Sequence, residues 1–216
     1  MTIPRLENIP ELNVNYEGLK RHSHLSLFVQ DPNLTPQARK LRGWFVHTVV
    51  SSVRHYNDAR TLVLKQETAD QIKDGGVIFY IFDVYQHLES CIGYAYRAVY
   101  SIHKIDQGNT LFTSFKKEHK DAVERLSKIR NQFEHMHTQI VSGQSGKGPI
   151  YITYGHEGKE IHFRSLRIST SEMHKVLKSL YLAACSFFPV FDPESTAELG
   201  GDPRLSIRME VRSENG

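Results

Sequence analysis

Between the pairs Gly75-Gly76 and Gly108-Asn109 lies a segment, residues 77–104, in which Phe79, Phe82, Leu88, Cys91, Ile92 and Ala95 recur at helical spacing. A helix this apolar has to be covered on most sides, so it belongs at the centre of the fold with other elements packed around it. Its most apolar stretch, VIFYIFDVY, is well short of the ~20 residues that span a bilayer and carries Asp83, so protein rather than lipid must provide the cover. Asp83 and Glu89 sit within this segment, and carboxylates in apolar surroundings need partners, which Arg130 or a histidine can supply.

Three further segments have the pattern needed to cover it. Thr35-Pro36 supplies a cap and a proline at the first helical position, and Leu41, Trp44, Phe45, Val49, Val53 and Tyr56 follow at helical spacing to about residue 65. A third helix is predicted over residues 115–141. Ser169 with Glu172 forms a capping box that opens a fourth through Met173, Val176, Leu177, Leu180, Tyr181 and Ala184, with Pro189 as its stop. Between the last two, alternation in ITY and GHEGKEIHF around a turn from Gly155 to Gly158 predicts a β-hairpin inserted near residues 149–168. The fold class is therefore mainly α, a bundle of four to five helices with a small β-hairpin insertion, over residues 35–190. Residues 1–34, punctuated by Pro4, Pro10, Gly18 and Pro32, read as an irregular N-terminal arm that is either loose or packed down. Residues 191–216 read as a polar tail, in which the alternation of Leu205, Ile207, Met209 and Val211 permits a short strand at 204–211.

Composition narrows the function classes. A chain of 216 residues with 39% apolar and 24% charged residues suits one globular domain with appendages. The start of the chain lacks the basic and apolar regions of a secretory signal, so a cytoplasmic location and no membrane partner are expected. Cys91 and Cys185 both fall within apolar helical patterns and read as small buried thiols, not as a disulfide or zinc framework. A net charge of +3 and a pI of about 8.8 permit a nucleic-acid partner without requiring one. The 12 histidines make imidazole the first candidate for any site chemistry.

The densest such stretch is KIRNQFEHMH on the third helix. On a wheel of about 100° per residue, Ala122, Leu126, Ile129, Phe133, Met136 and Ile140 form a core face. Ser127, Asn131, Glu134, His135 and Thr138 fall opposite, Arg130 lies at the boundary, and His137 turns back toward the apolar edge. Arg130 and Glu134 are also spaced for an ordinary surface ion pair.

Arg130-Asn131-Gln132-Phe133-Glu134-His135 resembles the motif of the HEPN superfamily (higher eukaryotes and prokaryotes nucleotide-binding), an Arg followed after four to six residues by His on a late helix of a bundle. Arg42 to His47, Arg97 to His103 and Arg167 to His174 have the same spacing but lack the small polar residue that typically follows the arginine, which only Arg130 has, as Asn131. The resemblance covers residues 36–141 and 170–188. It implies an RNA-binding protein and a metal-independent endoribonuclease of toxin or defence type, with Arg130, His135 and Asn131 as catalytic residues and Glu134 and His137 in support. In that role His135 would take the 2′-hydroxyl proton while Arg130 offsets charge on the scissile phosphate. Lys128 and Lys147 would contact the RNA backbone. A homodimer that joins two copies of the motif is implied, as is an antitoxin or other protein partner, with no metal and no cofactor. Toxin members can carry a modifiable tyrosine two residues after the histidine, where this chain has His137. The alternative within the family is a catalytically inactive module that binds a nucleotide or a protein.

Other motifs are weaker. GQSGKG lacks the length and the following Ser or Thr of a phosphate loop, and it follows a helix where such a loop precedes one. His135 and His137, alternate residues on a helix, point about 160° apart and do not share one ion readily. Tyr94, Tyr96 and Tyr100 beside Arg97 fit base stacking, but helix packing or a dimer surface explains them more simply.

Overall fold

The computed structural model describes residues 4–26, 34–68, 79–105, 110–145 and 149–188. These form α1 (Tyr16–Ser26), α2 (Pro36–Thr68), α3 (Phe79–Ile105), α4 (Thr110–Glu118), α5 (Lys120–Glu134), α6 (Met136–Val141), β1 (Thr153–Gly155), β2 (Glu160–Phe163), β3 (Leu166–Ser169) and α7 (Thr170–Cys185). The mainly helical class with a small β insertion is thus observed. Lys147, Pro189 and the strand expected at 204–211 lie outside the described residues.

The two long helices, α2 and α3, form the framework. Phe45, Val49, Ser52, Tyr56, Ala59 and Val63 are buried on α2, and Val84, Leu88, Cys91, Ala95, Ala98 and Ile102 on α3. Both sets advance by alternating steps of four and three, the 3.5-residue repeat that keeps one seam facing its partner along the whole length. The pairing is antiparallel, since His47 packs on Tyr94 while His55 packs on His87. Small residues on the seam let the backbones approach, and the buried Ser52 hydroxyl is satisfied by donating to the Val49 carbonyl at 2.9 Å. Helix α5 packs on α3, α7 packs on α2 and α5, and the sheet rests on α5.

Three features differ from the sequence expectation. The helix predicted over 115–141 is broken at His119 and His135 into α4, α5 and α6. His119 is buried, with its ring on Phe115 and its Nε2 sharing a 2.8 Å hydrogen bond with Ser179 Oγ, and these tertiary contacts hold its backbone at φ −105°, ψ 14°. Beyond the second break the wheel of a continuous helix no longer applies, so Ile140 is 48% exposed instead of lying in the core, and His137 is exposed instead of turning to the apolar edge.

The N-terminal arm is the second difference, because it contains α1; of its two expected states, it is the packed-down one. Pro10, Leu12 and Ile9 present carbonyls to Tyr56 Oη (2.8 Å), Asn57 Nδ2 (3.1 Å) and Arg60 Nε (3.1 Å), all on α2. Its own Ile9, Leu12 and Leu19 are buried in the core. These long-range partners satisfy an extended backbone that has no periodic pattern of its own.

The third difference is a further strand: β2 pairs antiparallel with β1 (Tyr154↔Ile161) and with β3 (Ile161↔Ile168). The turn after β2 places Arg164 at φ 56°, a left-handed conformation uncommon outside glycine. Its guanidinium reaches α6, donating to Gln139 Oε1 at 2.9 Å and to the Ser145 carbonyl. Strand β3 runs directly into α7 through the expected capping box, with the Glu172 N–H donating to Ser169 Oγ at 3.0 Å and the Ser169 N–H donating to the Glu172 carboxylate at 3.1 Å.

Replacing Ser169 by Ala should lower the unfolding free energy by about 1 kcal/mol in urea denaturation, because the cap is lost while the fold is kept. Stability should also depend on acid. Burial holds the His119 pKa below its ordinary 6.5, outweighing the nearby Glu118. The unfolded chain then binds the proton more readily, so this contribution is complete above about pH 6.5 and is lost as pH falls. Unfolding free energies measured between about pH 7 and pH 5 should decline, and His119→Gln should flatten that decline in part. His55, His162 and His174, also depressed chiefly by burial, supply the remainder.

Candidate functional site

Helix α5 buries Ala122, Leu126 and Ile129, so Arg130, next in sequence, emerges at the edge of the core. Its side chain is 27% exposed and its guanidinium lies 4.7 Å above the ring of Tyr96 on α3. Nη1 donates to Asn131 Oδ1 at 3.0 Å, and Nη2 is paired with Glu134 one turn on. A cation over an aromatic face contributes about 0.5–2 kcal/mol depending on desolvation, more than the few tenths of an exposed helical ion pair. The ring therefore does more than Glu134 to orient the guanidinium.

Beside it opens a cleft of about 250 Å³ between α3 and α5, lined in part by Glu89, Tyr94, Arg97, Arg130 and Glu134. Arg97 repeats the arrangement, its guanidinium 5.4 Å from the Tyr94 ring centre. Glu89 keeps an open side, yet partial desolvation raises its carboxyl pKa above the ordinary value. It shares the cleft with Arg130, whose carboxylate partner is nevertheless Glu134. Tyr94 also lines a wider opening of about 1180 Å³ on its other side, where Lys20, Arg39, Lys40 and Arg54 contribute positive charge.

Arg130, Asn131 and Glu134 are thus brought together. His135 is exposed at the junction of α5 and α6, its N–H donating to the Asn131 carbonyl at 3.2 Å, and it is not part of the cleft wall. His137 faces solvent on α6. Lys128 is not part of the cleft lining and pairs with Glu124 at 2.6 Å, which lowers the Glu124 pKa through that hydrogen bond. Asp83 is exposed, so its solvation needs no buried partner.

A second group of chemistry-bearing side chains was not expected. His55 and Asp58 on α2 meet His87 on α3. The spacing of His55 and Asp58, three residues apart on a helix, is visible in the sequence, but the third member is set by the register of α2 against α3.

Comparison with protein-family models, with curated proteins and with solved structures finds no match to this chain.

Proposed function

We propose that this chain is a HEPN-like RNA-binding protein and a metal-independent endoribonuclease that uses Arg130 and His135. The observation that carries the reading is the pair of guanidiniums, Arg130 over Tyr96 and Arg97 over Tyr94, at one cleft. An arginine held flat against a ring keeps its fork of N–H donors in plane for a phosphate, and its free face can stack on an unpaired base. His135, solvent-facing and outside this cleft, acts in the proposed homodimer on RNA bound at the facing copy's Arg130. There it removes the 2′-hydroxyl proton while the arginine neutralises the phosphate. Asn131 holds the guanidinium from the side.

Glu134 favours a second reading, a catalytically inactive module that binds a nucleotide or protein, because its carboxylate occupies the guanidinium edge a phosphate would use. The two readings separate in EDTA. The nuclease should cut single-stranded RNA to leave 2′,3′-cyclic phosphate ends, and His135→Ala and Arg130→Ala should each lose about 100-fold or more in rate while folding and dimerising normally. Binding without cleavage across a broad RNA panel selects the inactive module. In either case Glu134→Gln should tighten RNA binding several-fold by releasing Arg130, measured by fluorescence anisotropy; unchanged affinity would show that the carboxylate does not compete.

A further inference from the structure

His55, Asp58 and His87 form a group in which one ligand atom from each lies within 4.8 Å of the others. The Nδ1 atoms of His55 and His87 are 2.9 Å apart, and His87 Nδ1 is 3.7 Å from Asp58 Oδ2. Donors placed about 2.0–2.2 Å from a tetrahedral Zn²⁺ are separated by about 3.3–3.6 Å, a span the two observed distances bracket. We propose that these three side chains bind one divalent transition-metal ion, Zn²⁺ foremost, across the α2–α3 seam.

The chemistry of the donor set agrees. Two imidazole nitrogens at 2.9 Å cannot both carry a proton toward each other, so at least one lone pair faces the centre of the group. Two imidazoles and one carboxylate are ligands that zinc accepts, and three protein donors leave a fourth position for water. All three residues are half-buried, so that position opens toward solvent. His55 is fixed in plane by stacking on Tyr94, with ring centres 5.8 Å apart and planes 9° apart. Arg54, 4.0 Å from Asp58 Oδ2, is the opposing feature, a cation that has to yield the carboxylate to the metal. That pair is about half-exposed, and ion pairs open to solvent hold weakly.

This site is separate from the proposed nuclease motif and stands or falls independently of it. The test is titration of the metal-stripped full chain with ZnCl₂ by calorimetry, and with Co²⁺ by visible absorption. One equivalent should bind, the cobalt form should show the intense d–d bands of tetrahedral coordination without thiolate charge transfer, and zinc should raise Tm. Loss of a supporting partner weakens metal sites by about 10–100-fold, so removal of a ligand in His87→Ala should cost at least as much. Asp58→Asn, nearly isosteric, should also weaken binding and keeps the test valid if His87→Ala folds poorly. His156→Ala, at an exposed histidine that follows β1, should leave zinc affinity unchanged. Absence of stoichiometric uptake by the wild-type chain, or uptake undiminished in both ligand variants, would overturn the assignment.

Discussion

The antiparallel seam between α2 and α3 is the contact on which the other elements depend. Each helix alone would expose a continuous apolar stripe to water, and burial at about 25 cal/mol per Å² over that length is the largest favourable term available to this chain. Because the buried repeat on both helices is 3.5 residues, the register between them cannot slide without parting the ring pairs His47–Tyr94 and His55–His87. That register then dictates what meets outside the seam. It places His55 beside His87, lays Tyr94 against both His47 and His55, and presents Tyr96 to the arginine that arrives later from α5.

The arm and α7 use the same scaffold in different ways. Helix α7 adds apolar area, with Met173, Val176, Leu177 and Leu180 fully buried. The arm instead satisfies its backbone carbonyls on polar side chains of α2, so it is recruited by hydrogen bonds that only the finished helix can offer. Both cover residues that would otherwise be the outer surface of the long pair.

Local signals in the sequence were sufficient at the starts of α2 and α7. The Thr35 cap, which receives the Ala38 N–H at 3.2 Å, the proline that follows it, and the Ser169–Glu172 box mark helix starts because the partners are three residues apart. The breaks at His119 and His135 were invisible for the opposite reason: the first depends on Ser179 of a distant helix, and the wheel has no term for a kink. Helix α1 does carry a local cap, Asn15 Oδ1 accepting the Gly18 N–H at 2.8 Å, but Gly18 within it and the prolines on either side hide that signal in the sequence. At the candidate site, the neighbourhood of Arg130, Asn131 and Glu134 was legible from spacing along one helix. The tyrosine beneath Arg130 and the histidine brought to Asp58 were not, since each crosses from one helix to another.

Arg164 ties the β2–β3 turn to α6, and this gives the sheet a part in positioning His135. A helix of six residues has too few hydrogen bonds to hold its own axis in water, so its bearing is set from outside, by the guanidinium clamped on Gln139 and Ser145. Arg130 sits before the break and His135 at it. The small sheet is thus a common mooring for both: β3 packs on the helix that carries Arg130, and the turn beside it holds the one that follows His135.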